Sequence, residues 1–435
     1  MQSADTGLIR SGLVSFPISI NNSAEAIAHL IKETGAKHVL VGPPGYMSTL
    51  DQRVSAAVES LRQSGYEISA IPWPSDEIYE AGPDLPERTP SPYEPDRPTA
   101  ILHSSGTTSI YPKPIVQRQR AIRSMQQCVN YGDEDHAGQL CFLGHLPPAH
   151  MMGFCLWQTA MGEGYSVGMF YPHASAPAPT QPTALLRTMV ELRTDVAIMP
   201  PSLIESASKE AELVDYLCKI PLICYGGGPL SNEVAGYLAG QGVTVMSQIG
   251  STETLGLSVC FQKVPQDEIK AGRYSSMEPA RDVRIIWRPI PGEEHLDHYE
   301  LLVGAKGDTN RPSVLNATYQ GEQVYATGDK CKLIRSSKPG RSDRFIVLGR
   351  IDEGIVLSTG EKTNSVPIVN IVKKNSIVRD AVMFGVGRPM NGILIELDEK
   401  KETFDGSDQQ LATLRGKVWK SVQEANDFAP THSRT

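Results

Sequence analysis

Positive charge is in short supply: 41 Lys and Arg stand against 49 Asp and Glu, a formal net charge of −8 over 435 residues. Such a surface does not favour phosphate backbones or anionic lipid, which sets nucleic acids and membranes aside as partners. A local nest of backbone N–H groups still holds an anionic nucleotide whatever the global sign. No apolar run approaches the ~18 residues that a membrane span needs, and the opening MQSADTGLIR lacks the charged-then-apolar order of a signal peptide. Cysteine is sparse. The seven are Cys128, Cys141, Cys155, Cys218, Cys224, Cys260 and Cys331, with no C-x-x-C among them. An odd set lying mostly in apolar stretches excludes a disulfide framework or a zinc site and fits free thiols in a reducing cytosol. The Walker loop, the G-x-S-x-G elbow and G-x-G-x-x-G are all missing, as is any internal repeat.

What is present is globular: 40% hydrophobic and 21% charged residues, in a length that suits one large and one small domain. Asn22 or Ser23 caps a helix whose apolar face is Ile27, Leu30 and Ile31 and which stops at Gly35. A short strand, His38 to Val41, follows. Leu50, Val54, Val58 and Leu61 then recur at helical spacing before Gly65, and Ile68 to Ile71 reads as another strand. Helix and strand in alternation predict an α/β fold with a parallel sheet. The Pro- and acid-rich stretch 72–98 reads as a surface connection. From 120 to 250 the α/β pattern resumes, with a strand at 222–225, a helix capped by Ser231 and a strand at 243–246. From about 255 to 350 the chain turns β-rich, and after about 353 it looks like a small α+β appendage. His295-Leu296-Asp297-His298 lies in an acidic, Pro/Gly-flanked stretch and reads as a solvated loop.

The strand Thr99–His103 runs directly into Ser104-Ser105-Gly106-Thr107-Thr108-Ser109-Ile110-Tyr111-Pro112-Lys113-Pro114. Hydroxyls around one glycine after a strand suit phosphate: the glycine permits close backbone approach, N–H and O–H groups donate to phosphate oxygens, and Lys113 adds positive charge. Taken alone, the run is equally an ordinary Ser/Thr turn. It resembles the phosphate loop S/T-S-G-T/S-T-G-x-P-K of the adenylate-forming superfamily, which includes acyl-CoA synthetases, luciferases and synthetase adenylation domains. Ser109 replaces the usual glycine, and one extra residue precedes Pro112.

Further segments follow in the superfamily's order. Tyr225-Gly226-Gly227-Gly228-Pro229-Leu230-Ser231 is similar to G-G-A-P-L-S, and the resemblance places Gly227, Gly228 and Pro229 at the adenine and acyl pocket. Ile249-Gly250-Ser251-Thr252-Glu253 resembles Y-G-S-T-E, with Ile249 in place of the aromatic residue. Thr252 would then meet the α-phosphate and Glu253 would hold Mg²⁺, a hard cation that prefers carboxylate oxygen. By itself Glu253 reads as a solvated helix-start carboxylate. Tyr325-Ala326-Thr327-Gly328-Asp329 is similar to Y-x-T-G-D, implying that Asp329 accepts from both ribose hydroxyls; alone it reads as a β-turn aspartate. Gly349-Arg350-Ile351-Asp352-Glu353 resembles the hinge motif, with Arg350 near ribose or phosphate and Asp352 the pivot. Gly360-Glu361-Lys362-Thr363-Asn364 matches the next motif. His150, in Leu146-Pro147-Pro148-Ala149-His150, matches the gate beside the acyl pocket; its alternative is a lone histidine at a helix start.

The resemblance implies a large adenylate-forming domain over 1–350 and a partial C-terminal lid domain over 351–435. It implies ATP-dependent activation of a carboxylic acid to an acyl-adenylate, with Mg²⁺ as cofactor and a phosphopantetheine thiol on a separate carrier as acceptor. His103-Ser104-Ser105-Gly106, Pro112-Lys113-Pro114-Ile115 and Ala425–Arg434 resemble fungal synthetase-like enzymes in which carrier and reductase domains follow. In that light the chain reads as starting after the family's first motifs and ending before the segment with the catalytic lysine. No Asp or Glu falls between Leu146 and Met161, where amino-acid-activating relatives pair the substrate ammonium, so an aryl, keto or fatty acid is expected. Met151, Met152, Phe154 and Trp157 are candidates for the apolar pocket wall. The alternatives are a standalone acyl-CoA ligase and a catalytically impaired nucleotide-binding fragment.

Overall fold

The structure is a computed structural model that describes residues 2–19, 21–42, 48–73, 92–104, 111–127, 134–142, 146–170, 181–305, 312–336, 340–351, 355–398, 401–402 and 404–435. Near the N-terminus, Ser23 accepts from the Ala26 N–H and caps the helix Ala24–Thr34, which ends on left-handed Gly35. Its buried face is Ala26, Ile27, Leu30 and Ile31, of which Ile27 and Ile31 pack with Val58 and Leu61 of the helix Ser48–Gln63. Strands β1 (His38–Val41) and β2 (Ser69–Pro72) pair in parallel beside them.

β3 (Pro98–Ser104) and β4 (Lys113–Arg118) form an antiparallel pair, so the hydroxyl-rich run spans the end of a hairpin; Ser105–Ile110 lie outside the described residues. The central sheet is parallel and five-stranded: β5 (Leu140–Phe142), β6 (Ser166–Gly168), β7 (Val196–Met199), β8 (Leu222–Gly226) and β9 (Val245–Gln248), in the order β6-β5-β7-β8-β9. It is buried on both faces, as a parallel sheet covered by helices must be. Ile223 and Tyr225 face one core with Leu186, Met199 and Leu238. Leu222 and Cys224 face the other with Leu156, Ile198 and Phe261. Period-two alternation along β8 thus feeds two separate cores.

Two short strands, β10 (Gly250–Ser251) and β11 (Leu255–Gly256), make a tight hairpin. Then comes the β-rich part: β12 (Arg284–Pro289), β13 (His298–Gly304), β14 (Ala317–Tyr319), β15 (Glu322–Ile334) and β16 (Arg344–Arg350) form one antiparallel sheet. Here the reading of 295–298 needs correcting. Glu294–Leu296 is a short 3₁₀ turn, but His298 opens β13, only 16% exposed, and its Nδ1 lies 2.7 Å from Glu293 Oε2. Lys330 pairs with the same carboxylate, so His298 alone departs from the solvated loop; His295, Leu296 and Asp297 are exposed, as such a loop requires.

The C-terminal part holds β17 (Ile355–Val356) paired with β18 (Lys362–Thr363), and a hairpin of β19 (Val378–Phe384) and β20 (Gly392–Leu397). The helices Ser365–Val372 and Asp408–Phe428 cover that hairpin; Leu357, Ile368, Met383, Val418 and Val422 share their core. No helix among the described residues is long and apolar enough to cross a membrane.

Candidate nucleotide and acid site

A cavity of about 690 Å³ opens where the central sheet, the β-rich sheet and the C-terminal part meet. Each wall is built by a local backbone device. Thr252 and Glu253 sit at the tip of the β10–β11 hairpin, not at a helix start. The buried Gln117 of β4 holds that tip: its Nε2 donates to Thr252 O at 2.8 Å and its Oε1 accepts from Ser313 Oγ at 2.9 Å. The Ser313 N–H donates to Glu253 O at 2.7 Å. Leu255 closes the turn at φ 62°, a left-handed conformation that a branched residue adopts only under constraint. Gly250 is required opposite it, because a Cβ there would stand 2.5 Å from Leu255 O.

Asp329 lies within β15, not in a β-turn, and its register partner is Arg350 of β16. Gly328 is left-handed at φ 74° and accepts from the Ile351 N–H at 2.7 Å, and the ladder slips between Lys330 and Cys331. The Asp329 N–H donates to Thr327 Oγ1 at 3.0 Å, and that hydroxyl donates to Leu301 O at 2.9 Å. Arg350 Nη1 reaches Asp329 Oδ1 at 3.2 Å.

His150 is the N-cap of the helix Met151–Glu163, and its Nδ1 accepts from the Met152 N–H at 3.2 Å. The neutral ring therefore carries its proton on Nε2. Burial holds its pKa below the ordinary histidine value against the pull of Glu361. His103, at the end of β3, accepts from the Ser19 N–H on Nε2 at 3.0 Å. Burial lowers its pKa to about 4, with Glu361 opposing and His150 and His432 assisting. The three imidazoles and Glu361 all line the cavity, with His432 Nδ1 3.7 Å from Glu361 Oε2.

Glu361 and Lys362 come from the C-terminal part, whose turn sits directly on the glycines after β8. A Cβ on Gly228 would lie 2.5 Å from Leu357 O, and one on Gly227, which has φ 80°, would lie 3.0 Å from Gly360 Cα. The Ser202 N–H donates to Ser358 O at 3.0 Å, and Thr431 Oγ1 approaches Asn21 O at 3.5 Å. Another set of lining residues, Ser124, Met125, Met152, Cys155, Leu156 and Thr159 of the helical segments 119–126 and 151–163, brings no charged side chain. Burial pushes the thiols of Cys155 and Cys260 up to about 12, so they stay neutral.

Of the residues singled out in the sequence, Ser104, His150, Gly227, Gly228, Pro229, Thr252, Glu253, Asp329 and Arg350 line this one cavity. Lys113 opens β4, is exposed and is not itself in the lining, although its ladder partner Ser104 and its neighbour Pro112 are. Ser105, Gly106, Thr107, Thr108 and Asp352 lie outside the described residues. Met151 and Met152 are in the wall, whereas Phe154 packs into the core with Leu102 and Ile122. His103, Glu361, Lys362 and His432 line the site without having been picked out; the G-E-K-T-N segment carried a signal but no assigned role. Among the described residues no three His, Cys, Asp or Glu side chains form a metal cage. A lone Glu253 suits Mg²⁺, which takes one or two carboxylates together with nucleotide phosphates.

Comparison with known proteins agrees with this geometry. The chain is 30% identical over 433 residues to adenylate-forming reductase Nps10 of Heterobasidion annosum, covering 99% of this chain and 38% of that protein. It is 26% identical over 450 residues to a carboxylic acid reductase of Neurospora crassa, covering 98% of this chain and 39% of that one. The chain thus spans under two-fifths of the length of these relatives. Among solved structures, the adenylation–carrier didomain of carboxylic acid reductase from Segniliparus rugosus, in complex with AMP, superposes with a TM-score of 0.69 at 13% identity, over 99% of this chain and 65% of that one. The profile of the AMP-binding enzyme family matches residues 1–290 and that of the AMP-binding enzyme C-terminal domain matches 352–435, and the chain belongs to this family.

Proposed function

We propose that this chain activates a carboxylic acid with ATP, within a larger enzyme of the adenylate-forming reductase kind. One observation carries the reading: Ser104, Glu253 and Asp329, far apart in sequence, line a single cavity. Ser104 and the hydroxyl run through Ser105, Gly106, Thr107 and Thr108 bind phosphate, Thr252 donates to the α-phosphate, and Asp329 with Arg350 receives the ribose. Gly227, Gly228 and Pro229 border the base. Residues 1–350 form the large domain and 351–435 the lid part, with Asp352 as pivot.

A carboxylate oxygen of the acid attacks the α-phosphorus in line. The new P–O bond forms as the bond to pyrophosphate breaks, leaving an acyl-adenylate. No side chain serves as nucleophile, so positioning and charge stabilisation do the work. Glu253 is the residue to hold Mg²⁺, which neutralises phosphate charge when bound. A carrier's phosphopantetheine thiol then attacks the acyl carbon, the C–S bond forms and AMP leaves. The likeness to adenylate-forming reductases and to an adenylation–carrier didomain supports carrier and reductase partners. The part of the cavity wall formed by Ser124, Met125, Met152, Cys155, Leu156 and Thr159 carries no charged side chain, which favours an aryl, keto or fatty acid over an amino acid, whose ammonium would need a carboxylate. Six free cysteines among the described residues fit a cytosolic setting.

The test is exchange of labelled pyrophosphate into ATP across a panel of acids, beside calorimetry with AMP and ATP. Exchange that depends on an uncharged-tail acid is the expected result. Nucleotide binding without exchange for any acid rejects acid activation by this chain.

A further inference from the structure

The charges that line the cavity do not balance in favour of an anionic nucleotide. Among the described residues there are three carboxylates, Glu253, Asp329 and Glu361, and two permanent cations, Arg350 and Lys362. Arg350 is committed to Asp329. His103 and His150 accept hydrogen bonds from backbone N–H groups on a ring nitrogen, which holds them neutral. Lys113 stands outside the lining. Lys362 is left, and among the described residues it makes no hydrogen bond and no ion pair.

Its position is well defined. Lys362 pairs with Val356 in the β17–β18 ladder, and both line the cavity. The turn between them is closed by the Leu357 N–H donating to Glu361 O at 2.9 Å and the Gly360 N–H donating to Leu357 O at 3.0 Å. That turn rests backbone to backbone on Gly227 and Gly228. The ammonium is thus fixed at its root and, among the described residues, unpaired at its tip, which is what an anion subsite needs.

We infer that Lys362 is the cation that meets the α-phosphate of the bound nucleotide, delivered to the site by the seating of the C-terminal turn on Gly227–Gly228. The inference rests on the nucleotide reading above. It assigns to the C-terminal part a direct phosphate contact in the arrangement described here.

Calorimetry with AMP and with adenosine on the whole chain, comparing wild type, Lys362→Gln and Lys362→Arg, tests it. Lys362→Gln should weaken AMP about tenfold or more, the effect of losing a charge-assisted hydrogen bond, and leave adenosine unchanged. Lys362→Arg should keep most of the AMP affinity. Equal AMP affinity in wild type and Lys362→Gln, or an equal loss for adenosine and AMP, overturns the role of Lys362 while the nucleotide reading stands. A wild-type chain that binds neither ligand overturns both.

Discussion

Arg350 and Asp329 face each other across the β15–β16 ladder, Nη1 to Oδ1 at 3.2 Å, with side chains only 9% and 18% exposed. The guanidinium orients the carboxylate, which still has lone pairs for two ribose hydroxyls. Asp329→Asn preserves the shape and removes the charge. Adenosine and AMP should both lose affinity, by about 10–100-fold, because the contact is to the sugar that both share. Lys362→Gln differs, since only AMP responds to it. Calorimetry separates the two patterns, and unchanged adenosine affinity in Asp329→Asn removes this residue from the ribose site.

Gly228→Ala should unseat the C-terminal turn. The new methyl would stand 2.5 Å from Leu357 O, a backbone atom that cannot swing aside. Overpacking of this kind costs about 1–3 kcal/mol, and here lifting the turn relieves it. Hydrogen exchange read by mass spectrometry should show faster exchange over residues 355–363, where β17 pairs with β18, and native rates in the central strand Leu222–Gly226. Native protection at 355–363 would mean that the seat tolerates a side chain.

His103 makes the fold sensitive to acid. In the unfolded chain its ring takes up a proton near 6.5, whereas the folded site resists until about 4. Between those values the unfolded chain binds more protons, so stability is whole above pH 6.5 and drains away as pH falls toward 4. The share belonging to this one group is about 3 kcal/mol at most. His103→Asn keeps an acceptor for the Ser19 N–H but cannot titrate. Urea unfolding at pH 7.5 and 4.5, two values that bracket most of this window, should show a smaller stability difference in the variant than in wild type. Equal differences would show that His103 is not the titrating group.

Local sequence carried the elements well where spacing and capping decide them. Ser23, Gly35 and Ser231 sit at the helix ends where cap chemistry puts them. The continuous apolar run 222–225, ended by glycines, was legible as a strand, and it is buried along its whole length. Motif order also carried the convergence of Ser104, Thr252, Glu253 and Asp329, which no propensity encodes. Sequence read alone failed where a pairing partner decides the conformation. Gly328-Asp329 has turn chemistry, yet it runs inside a 13-residue strand because the ladder with β13 is irregular there, Thr327 to Asp329 standing opposite Leu301 alone, and that irregularity takes up the left-handed glycine. His298 looked solvated, but Glu293, itself paired with Lys330, comes to its ring. Glu361, Lys362 and His432 reach the cavity only because the C-terminal part leans on the glycines after β8, a contact between segments more than 120 positions apart.

That lean has a mechanical consequence. Where Gly227 and Gly228 meet Leu357 and Gly360, main chain touches main chain. A contact between backbones re-forms without any side chain having to find its rotamer. Such a seat suits a part that leaves and returns to the same place.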